Sequence, residues 1–221
     1  MKKSFTNRLA LTVLAIVLVV ITVRPNAAKA AEISGEVTEF KDVKHINKIQ
    51  VRGNVEVFIN QSTEEGVKVY DEYYKKNAMV QWEDGVLRIC SYKNEKLTVL
   101  VNVTDLNAIE ASGDVKIRSL NKLSSISMDI ALNDNAQASL ETQSVNLYTA
   151  VADSAKLSLS GDAENQEVEL SGAAQLELTK LTAQNRSFSV SDQAIASYTE
   201  NGKTTLVKNG KVESQVLSLS F

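Results

Sequence analysis

The chain has a single proline, Pro25, and every residue after it keeps its backbone N–H. A structure built from strands paired along both edges needs all of those donors. Cysteine is equally scarce: Cys90 stands alone, so no internal disulfide can form and stability has to come from packing. Cys90 follows Ile89 in an alternating run, where a small buried thiol is expected. His45 is the only histidine. A hydrolytic triad needs a histidine or an equivalent base beside its nucleophile, and zinc needs several His and Cys ligands. One of each supplies neither, so His45 reads as a solvated loop residue. Aromatics make up only 5 % of the chain. The i, i+3, i+4 spacing of a long amphipathic helix is missing after the first thirty residues.

Those first thirty residues read as an export signal. Lys2, Lys3 and Arg8 form a basic start, and Leu9 to Val23 is apolar apart from Thr12 and Thr22. Arg24, Pro25 and Asn26 end the run, and Ala28-Lys29-Ala30 has the small-x-small pattern of a cleavage site. Its fifteen apolar-core residues fall short of the roughly 20 that span a bilayer, so cleavage is expected and no membrane span would remain. No cysteine lies near the cleavage region, so a lipid anchor is not expected. The exported part, residues 31–221, would carry 19 basic and 27 acidic residues, a formal charge of −8. That balance disfavours nucleic acid or an anionic membrane as partner.

What remains is alternation. Ile49 and Val51 lead through Gly53-Asn54 to Val55, Val57 and Ile59, and Asp84-Gly85 separates Val80 and Trp82 from Leu87 and Ile89. Period-two patterning of this kind marks half-buried strands, and Asp-Gly between two of them marks a tight turn. Leu97, Val99, Val101 and Val103 alternate most cleanly.

From Ser112 onward a repeat appears. Ser112-Gly113-Asp114-Val115, Asn133-Asp134-Asn135-Ala136, Ala152-Asp153-Ser154-Ala155, Ser171-Gly172-Ala173-Ala174, Ser191-Asp192-Gln193-Ala194 and, more loosely, Lys208-Asn209-Gly210-Lys211 begin 21, 19, 19, 20 and 17 residues apart. The second residue is always Gly, Asp or Asn, the types that tolerate a left-handed backbone. Strands flank each turn, as Ile126, Met128, Ile130 and Leu132 precede one and Ala155, Leu157 and Leu159 follow another. A period near twenty with strands on both sides predicts an all-β parallel β-helix of about 20 residues per rung. Residues 31–221 would form one such domain, clearest over 104–210 and irregular but strand-rich toward its N-terminal end. A final alternating run, Leu217-Ser218-Leu219-Ser220-Phe221, would cover the open end of the stack.

Candidates for chemistry are few. The turn residues Gly113, Asp134, Asp153, Gly172, Asp192 and Asn209 suggest a row of acids, which calcium would suit. Because Gly and Asn interchange with Asp, a backbone role fits better, with each Asp bonding its own turn. Tyr70, Tyr73, Tyr74 and Trp82 form the one aromatic-rich segment and the expected binding patch, since rings stack on sugars and anchor protein contacts. Asn60, Asn102 and Asn185 each begin an Asn-x-Ser/Thr motif, and Asp153-Ser154-Ala155 matches a short O-glycosylation acceptor. No catalytic residue, metal site or cofactor is expected.

Two segments carry a family resemblance. The run Ile46…Ile49-x-Val51-x-Gly53-Asn54-Val55-x-Val57-x-Ile59 resembles the opening of the head GIN domain family of auto-transporter adhesins. Leu106-x-x-Ile109-x-Ala111-Ser112-Gly113-Asp114-Val115 is similar to its internal signature, which Ser171-Gly172-Ala173 echoes. The resemblance covers about residues 40 to 210. It implies a right-handed parallel β-helix, a secreted or envelope protein of the kind common in Bacteroidetes, and adhesion without catalysis. The expected product is thus a non-enzymatic extracytoplasmic β-solenoid that meets a glycan or protein at the cell surface, in the periplasm or outside the cell. A carbohydrate-active β-helix enzyme is the alternative if acids and basic residues cluster on one face, and a purely structural envelope domain is the other.

Overall fold

The computed structural model describes residues 37–40, 42–70, 78–92 and 95–214, and the expected signal segment and final alternating run lie outside them. Alternating apolar residues give strands throughout: sixteen of them, and no helix, among the described residues. All sixteen belong to one sheet, which curls on itself as an open half-barrel.

The regular part is built from strands far longer than ordinary ones. β10 (Leu123–Leu132), β11 (Gln137–Val151), β12 (Lys156–Leu170) and β13 (Gln175–Val190) lie side by side and parallel. Each residue of β11 sits beside the one 19 further along, from Gln137–Lys156 to Val151–Leu170. The β12–β13 pairing starts with the same offset and moves to 20 after a shift between Ser158 and Ser160. Such registry stacks like on like: Ile109, Ile130, Thr149, Val168 and Phe188 form one row across the sheet. Burying each aliphatic side chain contributes about 1.5–3 kcal/mol.

The long strands are bent. Ser144 and Leu147 both face inward, while Val145 and Asn146 between them both face out. The same slip in alternation occurs at Glu164-Asn165 and Gln184-Asn185, so these positions form one outer edge. Ile126, expected in the core, occupies the equivalent bend before Ser127 and is 77 % exposed. Cys90 also departs from expectation: it is a free thiol of intermediate exposure on the face opposite Leu87 and Ile89.

Four-residue corners join β10 to β11, β11 to β12 and β12 to β13. Asp134, Asp153 and Gly172 there have φ of 60°, 59° and 66°. Each corner closes on itself, as in Ala155 N–H donating to Ala152 O at 3.1 Å. The corner acids reach beyond their own turns, although Asp192 also accepts from Ser191 Oγ at 3.2 Å within its corner. The Asp134 carboxylate accepts from Gly113 N–H (2.9 Å), that of Asp153 from Asp134 N–H (3.1 Å) and that of Asp192 from Gly172 N–H (3.1 Å). Each acid thus ties its own corner to the preceding one. Asn209 also has positive φ, 48°, but pairs with Gly210 in a two-residue antiparallel hairpin rather than at a stacked corner.

The N-terminal part stacks out of chain order. β2 (Lys48–Arg52) lies parallel between β6 (Val86–Ser91) and β8 (Ala108–Ser112). β3 (Val55–Gln61) likewise lies between β7 (Leu97–Val103) and β9 (Lys116–Ser119). Beyond β6 and β7 the pairing turns antiparallel, with β5 (Ala78–Glu83) on β6, β4 (Gly66–Tyr70) on β7 and β1 (Val37–Phe40) on β4. At the far end β14 (Ile195–Glu200) pairs parallel with β13, followed by antiparallel β15 (Lys203–Lys208) and β16 (Lys211–Ser214). Short antiparallel strands therefore close both ends.

Three substitutions test this packing. Gly161, at φ 103°, would place a Cβ 2.1 Å from Thr142 O, so Gly161→Ala should cost about 3 kcal/mol or more in urea denaturation. Gly202→Ala, at φ 73° with open space around it, should cost about 1–2 kcal/mol. Gln166 replaces the inward Leu147 of the preceding strand, is 2 % exposed, and its amide has no hydrogen-bond partner among the described residues. Gln166→Leu should raise stability by about 1–3 kcal/mol, read from the same denaturation midpoint.

Candidate functional site

The last residue of each corner is small and buried: Val115, Ala136, Ala155, Ala174 or Ala194. Strand alternation then turns the next residue outward. Registry lines these up as Lys116, Gln137, Lys156, Gln175 and Ile195 across β9, β11, β12, β13 and β14. Two residues further on, a second outward row reads Arg118, Ser139, Ser158, Glu177 and Ser197. A trough of about 890 Å³ follows the two rows across the strands and reaches Leu206 of β15 at one end.

Its chemistry is cationic and hydroxylic. Lys116, Arg118 and Lys156 form no salt bridge among the described residues. Glu177 is the one acid lining the trough, and its carboxylate accepts from Thr179 Oγ1 at 2.9 Å. Beside the Lys116 end, Glu56 is held by Lys96, and Asp114 accepts from Asn135 Nδ2 at 3.0 Å.

Beyond the bend the outward rows carry the opposite sign. Asp129, Tyr148 and Glu167 share one row, and Glu110 and Glu169 lie in the next. Tyr148 Oη donates to Glu169 at 2.7 Å, and that bond, with burial and the charges of Glu169, Glu167 and Asp129, pushes its pKa up to about 12. Burial raises the Glu110 pKa, but hydrogen bonds from Lys48 and Gln50 and the charges of Lys48 and Arg52 outweigh it and hold the group low. Burial lowers that of Arg186, whose guanidinium lies 5.0 Å from the Tyr198 ring centroid.

Two residues of the expected aromatic patch, Tyr70 and Trp82, are among those described. Tyr70 ends β4, and Trp82, 39 % exposed, sits on β5; those strands pair with β7 and β6, not with each other. Tyr73 and Tyr74 lie outside the described residues. His45 is exposed, with its N–H donated to Glu65. The sequon asparagines serve the fold: Asn60 Nδ2 donates to Asn102 at 3.0 Å and Asn185 Nδ2 to Asn165 at 2.9 Å. Among the described residues no group of three His, Cys, Asp or Glu could hold a metal ion. Nor is any helix among them long and apolar enough to cross a membrane, which leaves spanning by strands unaddressed. The trough itself escaped the sequence reading, although aligning the repeats on their corners puts Lys116 and Lys156 in one column.

Comparison with known proteins adds a family. The model of the family described as "Putative auto-transporter adhesin, head GIN domain" matches residues 45–218. No curated protein matches the chain. A crystal structure described as a "putative adhesin" from Bacteroides fragilis is similar in fold, with TM-score 0.64, 18 % identity and coverage of 74 % of this chain and 76 % of its own. A "putative adhesin" from Parabacteroides merdae gives TM-score 0.61 at 19 % identity, covering 67 % of this chain and 65 % of its own. A "Putative lipid binding protein" from Parabacteroides distasonis gives 0.54 at 15 % identity, over 68 % of this chain and 76 % of its own.

The acidic side gives a pH prediction. The Tyr148 pKa is raised in the folded chain, so its contribution to stability is complete below about pH 10 and is lost as pH rises from 10 to about 12. Phenolate absorbance should show one late-titrating tyrosine, and Glu169→Gln should bring it back toward the others.

Proposed function

The chain belongs to the head GIN domain family, and on that premise we propose that it is a non-enzymatic extracytoplasmic binding domain, acting in adhesion or envelope assembly through the trough on β9 to β14. The observation that carries this reading is the gathering of Lys116, Arg118 and Lys156, without salt bridges among the described residues, on a chain of formal charge −3. Unpaired charge on one face attracts and orients an oppositely charged partner. Support for a role without catalysis comes from the family's description and from the trough's single carboxylate, Glu177, since glycoside hydrolysis uses a pair.

The architecture we propose is a right-handed parallel β-helix of about 20 residues per rung, over residues 31–221, released from a signal peptide at 1–30. Register offsets of 19 and 20 between successive strands and the four-residue corners support the rung. The strong right-handed preference of parallel connections supports the hand. Export of the mature domain to the periplasm, cell surface or medium follows from the signal reading. Tyr70, Tyr73, Tyr74 and Trp82 form a second proposed contact, supported by the exposure of Trp82.

An array of glycans and matrix proteins probed with the purified chain tests the reading. The triple variant Lys116→Glu, Arg118→Glu, Lys156→Glu should lose about tenfold or more in binding. Trp82→Ala reports on the aromatic contact. Unchanged binding by the triple variant would overturn the trough, and release of shortened product from a bound polymer would overturn the non-enzymatic role.

A further inference from the structure

The trough's shape and lining narrow the class of partner, given the reading above that it is the contact surface. It runs across strands, so any ligand following it meets a new set of side chains about every 4.8 Å and spans about 19 Å from β9 to β14. Lys116 and Lys156 stand two strands apart in one row, about 10 Å, with the neutral Gln137 between them. Arg118 flanks Lys116 two residues along β9, and Ser139 and Ser158 continue its row. Two cationic steps, β9 and β12, therefore flank the neutral step of Gln137 and Ser139, and β13 beyond them offers Gln175 and the one acid, Glu177.

Other polymers fit this poorly. A peptide that adds as a strand needs a free sheet edge, and β9, β11, β12 and β13 are each paired on both sides. Single-stranded nucleic acid needs aromatic platforms for its bases, and no lining residue is aromatic. A lipid chain would find outward apolar side chains only at one end, Ile195 and Leu206. Serine hydroxyls and glutamine amides suit a hydroxyl-rich chain, and the cations suit carboxylate or sulfate groups on it.

We propose that the trough binds an acidic polysaccharide bearing one anionic group on every second sugar, with Lys116 and Lys156 meeting successive anionic groups and Arg118 reinforcing the first. Gln137, Gln175 and the serine row hydrogen-bond the sugar hydroxyls between them.

The test is calorimetric or fluorescence titration of the purified chain at low salt with four probes. These are a hyaluronan oligosaccharide, which has a carboxylate on alternate sugars, a neutral chitin oligosaccharide of equal length, poly-glutamate and oligo-thymidylate. The acidic sugar should bind most tightly and weaken as salt is raised. The double variant Lys116→Gln, Lys156→Gln should weaken it about tenfold, while Lys203→Gln, an exposed cation on β15 outside the trough, should leave it unchanged. Melting curves establish that both variants fold. Equal or tighter binding of the neutral sugar, the peptide or the oligonucleotide overturns the proposal, as does an acidic-sugar affinity indifferent to the double variant. If no acidic sugar binds while an array ligand still depends on the three cations, this inference fails and the trough remains the contact surface.

Discussion

A parallel neighbour normally takes a crossover of a dozen residues or more, because the chain has to return to the end at which it started. Here the links between long neighbouring strands are four-residue corners, so the return is made by the strands themselves. That geometric demand explains much of the rest. It requires a bend within each strand, seen at Val145, Glu164 and Gln184, and a left-handed residue at each corner. It also requires small side chains where the chain turns most tightly, and Ala136, Ala155, Ala174 and Ala194 meet it.

The carboxylates of Asp134, Asp153 and Asp192 show how an acidic pattern can serve architecture. A non-glycine residue at φ near 60° is strained, and the short polar side chain of aspartate tolerates it better than most. Each carboxylate also takes up a backbone N–H of the preceding corner, which helps to hold corner on corner. A lattice of backbone bonds thereby occupies the groups that looked most available for a cation.

Legibility in the sequence followed the strength of the period. Strand alternation and the left-handed corner residues were readable because both recur with a fixed spacing. Ile126 was misassigned because two successive outward residues at the bend reverse the alternation, and pattern alone supplies no marker for that reversal. The placing of β2 and β3 between later strands was invisible, since pairing order depends on which apolar faces meet rather than on local pattern. The cationic rows were present in the repeat alignment but obscured, because attention falls on recurring residues and Lys116 and Lys156 alternate with Gln137 and Gln175. Tyr70 and Trp82 stand on β4 and β5, whose pairing with β7 and β6 no local pattern announces.

The asparagine pairs have a consequence for how the protein can be produced. Asn60, Asn102 and Asn185 all sit in Asn-x-Ser/Thr triplets, and the Nδ2 atoms of Asn60 and Asn185 already donate to neighbouring asparagines. Oligosaccharyltransferase attaches its sugar at that same nitrogen, and it acts on chains entering the secretory route before they have folded. In a yeast or mammalian host a glycan installed there would replace one of the two Nδ2 hydrogens and set a bulky group beside the neighbouring asparagine. A bacterial host without that enzyme leaves the ladders free to form.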